Sequence, residues 1–197
     1  METGSEGQVA AQISIPFYRH DLGAAEVDSF ASALKNPILT TGDVTQTFED
    51  KFARLLNARH ALAVTSCTGA MHMVLEGLGI GPGDEVITTP MTFIATATAI
   101  LQAGATPVFV DVEVDTGNID ANKIEAAITS KTKAILPVHL YGLMVNMKAV
   151  SDIANKYGLR VIEDAAHCIE GSVDGVRPGG LSDAACFSFY ATKNITC

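Results

Sequence analysis

The sequence predicts an α/β domain built as three layers, a mostly parallel sheet with helices on both faces. Two observations carry this expectation. From His60 onward, short apolar runs alternate with segments of helical spacing that stop at glycines. The apolar runs are rich in Val and Ile and do not alternate with polar residues, as suits strands buried on both faces. A repeated strand–helix order of this kind folds into a layered α/β domain with crossover connections.

Residues 1–20 are expected to form an N-terminal arm and residues 21–197 one domain. Residues 21–56 have mainly helical spacing, shown best in FEDKFARLL, with breaks at Asn36-Pro37 and at residues 40–42. ALAVTS then reads as a first strand, and TGAMHMVLEGLG as a helix ended by glycines. DEVITTP is the next strand, and FIATATAILQAG the next helix. TPVFVDV is a strand, after which Asp120 is placed to cap a helix over ANKIEAAI. KAILPV, NMKAVSDIANKYG and LRVIEDA continue the alternation. IEGSVDGVRPGG reads as a hairpin or long loop turning at Asp174-Gly175. ACFSFYAT is expected to be one more strand, reaching Lys193. There is no internal repeat and no low-complexity linker.

Composition narrows the function classes. With 197 residues, 48% apolar content and a mean hydropathy of +0.26, the chain can bury a core and is not a disordered segment. A membrane span needs roughly 18 or more uninterrupted apolar residues. The runs here, such as the one around Ile94 and Leu101, are interrupted by Thr and Gln, so no membrane role is expected. The start, METGSEGQ, has neither a basic end nor an apolar stretch and predicts no secretory signal. A formal net charge of −9 argues against nucleic acid as a partner, since phosphate binding needs a basic surface. Cys67, Cys168, Cys186 and Cys197 form no CxxC pair and no zinc spacing, which predicts a reduced, cytoplasmic setting.

In open parallel sheets, ligands collect beyond the carboxyl ends of the strands. The apolar runs here end in TSCTGA, TPMTF, DVEVD, HLYG, EDAAH and finally Lys193. TSCTGAMH sits where a strand should turn into a helix. Hydroxyls and a glycine there suit an anion site, although Thr68 as a simple helix cap explains them too. No GxGxxG and no GxxxxGK[ST] is present, so dinucleotide and P-loop readings lack their fingerprints. In EDAAH, Asp164 can meet a cationic ring nitrogen, bind a metal or cap a helix. Glu163, Asp164 and His167 have no third firm ligand at matching spacing, so no metal is expected. Lys193 can be a solvated charge or an amine that forms a Schiff base with a carbonyl compound. Phe93 can offer a ring face or pack in the core. Taken jointly, an anion cradle, a carboxylate and an amine at strand ends fit pyridoxal 5′-phosphate.

IEDAAH followed by FSFYATKNIT resembles the DegT/StrS family of pyridoxal-phosphate-dependent sugar aminotransferases. ILTTGDVTQTFEDKFA, GPGDEVITTPMTFIATATAI, GATPVFVDV and PVHLYG support the resemblance, which runs from about Ile15 to the end. It implies the aspartate-aminotransferase-like fold type I, with residues 21–197 as a large cofactor-binding domain. It implies that Lys193 is the Schiff-base lysine and proton shuttle, and that Asp164 pairs with the pyridine nitrogen. His167 matches a position beside the ring, and Phe93 the aromatic that stacks on it. Thr68 and Gly69 match the phosphate turn, and Ser188 a further phosphate hydroxyl. The implied reaction moves an amino group from an amino acid, with glutamate expected, to a nucleotide-linked keto sugar. A dehydratase branch carries histidine in place of the lysine, so Lys193 favours transamination. Family members run further, to a small C-terminal domain, and are expected to be homodimers. By that measure the chain is expected to be the N-terminal part, with the large domain incomplete. A non-catalytic module that keeps the pocket, and a nicotinamide oxidoreductase, are the alternatives.

Overall fold

The computed structural model describes residues 14–16 and 18–196. Most of the expected N-terminal arm, residues 1–13 and 17, lies outside the described residues. The chain runs α1 (Ala24–Ala33), α2 (Asp43–Leu56), α3 (Cys67–Gly77), β1 (Glu85–Thr88), α4 (Ala95–Gln102), β2 (Thr106–Phe109), α5 (Ala121–Ile124) and β3 (Thr132–Ile135). It continues through α6 (Met147–Tyr157), β4 (Arg160–Asp164) and β5 (Ala184–Cys186). The five strands form one sheet in the order β2-β1-β3-β4-β5, with every neighbouring pair parallel. Among the described residues no helix is long and apolar enough to cross a membrane.

The non-alternating apolar strands are explained by the layers. Consecutive residues of a strand point to opposite faces. Val86, Ala134, Leu136 and Ile162 pack with Met71 and Leu75 of α3 and Ala99 and Ile100 of α4. Their chain neighbours Ile87, Ile135 and Val161 pack with Ile124 of α5 and Val150 and Ala154 of α6. Both faces are covered, so both sets of side chains are apolar. Local chemistry sets the helix ends. Asp120 accepts the Asn122 N–H at 3.0 Å, as expected of an N-cap, and Asn146 accepts that of Ala149 at 3.1 Å. Gly158 ends α6 at φ 68°, a left-handed conformation that favours glycine.

Two expected strands come out differently. ALAVTS does not join the sheet. Leu62 and Val64 are 80% and 40% exposed, and among the described residues no strand offers this stretch a ladder. A strand exists only where a neighbour supplies hydrogen bonds, and an apolar run alone cannot supply one. ACFSFYAT is a strand only over its first residues, as β5. Cys186 pairs with Asp164, the last residue of β4, so the ladder has no partner beyond it. The following stretch is held by rings instead. Phe52 of α2 meets Phe187 at 5.0 Å and Phe189 at 5.5 Å, and Phe48 meets Phe189 at 5.2 Å, all edge to face. The hairpin turns where expected, with Asp174 at φ 51° and Gly175 at φ 77° between mutually bonded Val173 and Val176.

A buried polar network locks the loop after β4 to the sheet. Glu163 and His139 are 0% and 1% exposed, with Nε2 and Oε2 2.6 Å apart. His139 Nδ1 accepts the Val145 N–H at 3.2 Å, so the ring proton sits on Nε2 and is donated to Glu163. The other carboxylate oxygen accepts from the Gly179 N–H and the Ser182 hydroxyl. A buried carboxylate is tolerated only when its oxygens are satisfied in this way. His139→Ala should therefore cost about 3–5 kcal/mol of stability, read from urea denaturation midpoints.

Candidate active site

The carboxyl ends of β1, β3, β4 and β5 and the start of α3 gather the residues that the sequence singles out. Asp164 closes β4 and is 6% exposed. Its backbone is held by β3 and the segment after it, with Asp164 N–H to Pro137 O at 2.9 Å and His139 N–H to Asp164 O at 3.1 Å. Its side chain turns to the α3–α4 face, opposite to that of Glu163. Oδ2 accepts from the Thr96 hydroxyl at 2.7 Å, and Oδ1 from the Ala166 N–H at 3.2 Å. The residues after Asp164 form a turn rather than a helix, so the carboxylate is not a helix cap.

Lys193 is half-buried, and its Nζ lies 2.6 Å from His167 Nε2. Burial, followed by the Lys193 charge, holds the His167 imidazole below its ordinary range against the opposing pull of Asp164. The unprotonated ring nitrogen can then accept a hydrogen bond from the lysine amine. The loop before it fits closely: Gly142, at φ 89°, would place a Cβ 2.9 Å from the His167 carbonyl oxygen. Tyr141, at φ 51°, sets its ring edge-on to His167 at 6.1 Å and remains 81% exposed.

At the start of α3, the cap is Ser66 and not Thr68. Ser66 Oγ accepts the Gly69 N–H at 3.0 Å, and Ala70 N–H bonds Ser66 O at 2.9 Å. Thr68 lies in the first helical turn, and the leading N–H groups of Cys67 and Thr68 have no intrahelical acceptor. An added Cβ at Gly69 would stand 3.2 Å from Ser66 Oγ, so a side chain there would crowd the turn. Such a helix start accepts an anion. The Cys67 thiol is buried in this turn. Burial raises it most, Asp164 and Cys186 raise it further, and the Lys193 charge lowers it.

Phe93 is 77% exposed just before α4, so core packing does not account for it. Ser188 is half-buried, its Oγ 3.4 Å from the Tyr190 N–H, on the stretch leading to Lys193. Among the described residues no three His, Cys, Asp or Glu side chains are placed to hold a metal ion. The donor set fits a phosphate-bearing aldehyde cofactor: helix-start N–H groups for an anion, an amine, a carboxylate and an exposed aromatic face. Thr96, Thr92 and Cys67 were not distinguishable in the sequence. Thr92 lies in TPMTF after an apolar run, but nothing local marks Thr96 among the neighbouring hydroxyls.

His167 generates a pH expectation. Its imidazole binds a proton less readily in the folded protein than in the unfolded chain, so acid favours unfolding as pH drops below about 6.5. His167→Gln should lose less stability than the wild type between about pH 7 and pH 5, measured by urea denaturation at each pH. The thiols generate another. Burial pushes Cys186 up to about 12 and Cys168 up to about 11, and Cys67 upward as well. All three should resist alkylation by iodoacetamide in the native state and react on unfolding, as peptide mass spectra would record.

The sequence matches the model of the DegT/DnrJ/EryC1/StrS aminotransferase family over residues 20–197. The spore coat polysaccharide biosynthesis protein SpsC of Bacillus subtilis (strain 168) is 45% identical over 181 residues, which are 92% of this chain and 46% of that protein. DesV of S. venezuelae, solved in complex with a ketimine intermediate, superposes with a TM-score of 0.84 at 41% identity, over 88% of this chain and 47% of DesV. Spr1654 of Streptococcus pneumoniae, solved with pyridoxal phosphate, gives a TM-score of 0.89 at 32% identity, over 93% of this chain and 51% of that one. The chain spans about half the length of these relatives. Its architecture is the fold type I of pyridoxal phosphate aminotransferases, and the chain belongs to the DegT/DnrJ/EryC1/StrS aminotransferase family.

Proposed function

We propose that the protein is a pyridoxal-phosphate-dependent aminotransferase acting on a nucleotide-linked keto sugar, with an amino acid, glutamate foremost, as donor. The observation that carries this reading is that Lys193 Nζ lies 2.6 Å from His167 Nε2, on the turn that follows Asp164 at the carboxyl end of β4. In this reading Lys193 holds the cofactor aldehyde and Asp164 the ring nitrogen. Phe93 covers a ring face, with His167 beside the ring. Thr68, Gly69 and Ser188 hold the phosphate. Pyridoxal phosphate, when bound, supplies an electron sink for the α-carbon of the amino acid. Lys193 Nζ takes and returns the proton at that α-carbon, as a positioned general base and acid. His167 Nε2, 2.6 Å away, is the acceptor that orients the amine.

The polysaccharide role in the name of SpsC supports a sugar acceptor. In this reading the product enters cell-surface polysaccharide or secondary-metabolite sugar biosynthesis. The expected partners are an amino acid, a nucleotide sugar and a second copy of the protein, in the cytoplasm.

Protein purified from its complete reading frame should give a visible band on adding pyridoxal phosphate, and glutamate should bleach it. Lys193→Ala should abolish the band, and its persistence would sink the assignment. Asp164→Asn should slow the glutamate reaction by roughly 100- to 1,000-fold, the scale of losing one preorganised electrostatic partner. A wild-type band that glutamate leaves unchanged would favour a non-catalytic module.

A further inference from the structure

We propose that Thr96 is a positioning residue that sets the Asp164 carboxylate and the Phe93 turn as one unit, with Thr92 as the outer link. This rests on the reading that Asp164 meets the cofactor's ring nitrogen and Phe93 its face.

The direction of each hydrogen bond is fixed by proton counting. A hydroxyl has one proton to donate, and an ionised carboxylate has none. Thr96 Oγ1 lies 2.7 Å from Asp164 Oδ2, so Thr96 donates there. Its longer approach to Phe93 O, 3.3 Å, cannot use the same proton fully. Thr92 Oγ1 lies 2.7 Å from Thr96 Oγ1. With the Thr96 proton committed, Thr92 must be the donor in that pair. The result is a directed chain, Thr92 to Thr96 to Asp164, in which each bond polarises the next toward the carboxylate.

This chain acts on the site in two ways. Thr96 binds one carboxylate oxygen and the Ala166 N–H binds the other, so the carboxylate plane is fixed before any ligand arrives. A charged partner held in advance costs no reorganisation at the moment it is used. Thr96 also ties down the aromatic, since its backbone N–H bonds Phe93 O at 3.2 Å. One residue therefore spaces the exposed ring of Phe93 from the buried carboxylate. Packing alone does not call for this hydroxyl. Thr96 is 0% exposed beside an apolar cluster, where valine has the same shape and no polar group to desolvate.

The test uses protein from the complete reading frame, with dissociation constants for pyridoxal phosphate measured on the apo form. Thr96→Val should keep the visible band but raise Kd by about 10- to 100-fold, as expected for losing one hydrogen bond to a charged group. Thr96→Ser should restore Kd to within about threefold, because it keeps the hydroxyl and loses the methyl group. Thr92→Val, at a half-buried position, should shift Kd in the same direction by less. In an Asp164→Ala background, Thr96→Val should change Kd by less than about twofold, since its effect passes through the carboxylate. Wild-type Kd in Thr96→Val would overturn the proposal. So would failure of Thr96→Ser to rescue, or an unchanged Thr96→Val effect in the Asp164→Ala background. A wild-type protein with no band at all would overturn the cofactor reading and this proposal together.

Discussion

The parallel pairing of β4 between β3 and β5 is the constraint on which the site depends. It places Glu163 and Asp164 in sequence at the carboxyl end of one strand and turns them to opposite faces. Glu163 becomes the anchor of the loop behind the sheet, through His139, Ser182 and Gly179. Asp164 turns to the candidate site on the α3–α4 face, where Thr96 donates to it. Neither carboxylate could exchange places with the other. A shift of one residue in register would bury the wrong one among apolar neighbours.

Burying charge at this edge is made tolerable by short, directed contacts. Asp164 has donors on both oxygens, Glu163 has three, and the Lys193 amine faces a neutral imidazole. Burial first and then Asp164 raise the thiols of both Cys67 and Cys186, the cysteines between them. They fill space among reactive groups without adding a nucleophile. The Lys193 segment reaches the site without a ladder. Rings of α2 grip Phe187 and Phe189, and the Lys193 N–H closes a turn on Tyr190 O at 2.8 Å.

Much of this was legible in the chain. Helices α3, α4 and α6 and strands β1 to β4 arise from glycine stops, capping residues and Val/Ile runs. Asp164 and Lys193 stood out because each ends an apolar run, where parallel sheets collect polar groups. The two failures have a common cause. ALAVTS and the end of ACFSFYAT carry strand composition, but a strand also needs a neighbour, and that is a property of the assembled sheet. Thr96 was hidden for a similar reason. In FIATATAI it is one of two threonines around a helix start, and only the 68-residue jump to Asp164 separates it from Thr98.

The sequence by itself determined the kinds of groups and the order in which they arrive: a hydroxyl-rich helix start, a carboxylate pair, an imidazole and a late lysine. Local spacing and capping chemistry decide such things, and they act within a few residues. Only the assembled fold set which carboxylate turns to the α3–α4 face and which to the loop behind the sheet. It also decided that Thr92 and Thr96 lead to Asp164, and that aromatic rings hold the lysine segment. Those outcomes depend on which strands lie side by side and on which donor first reaches a lone pair. Both are set by contacts between residues far apart in the chain.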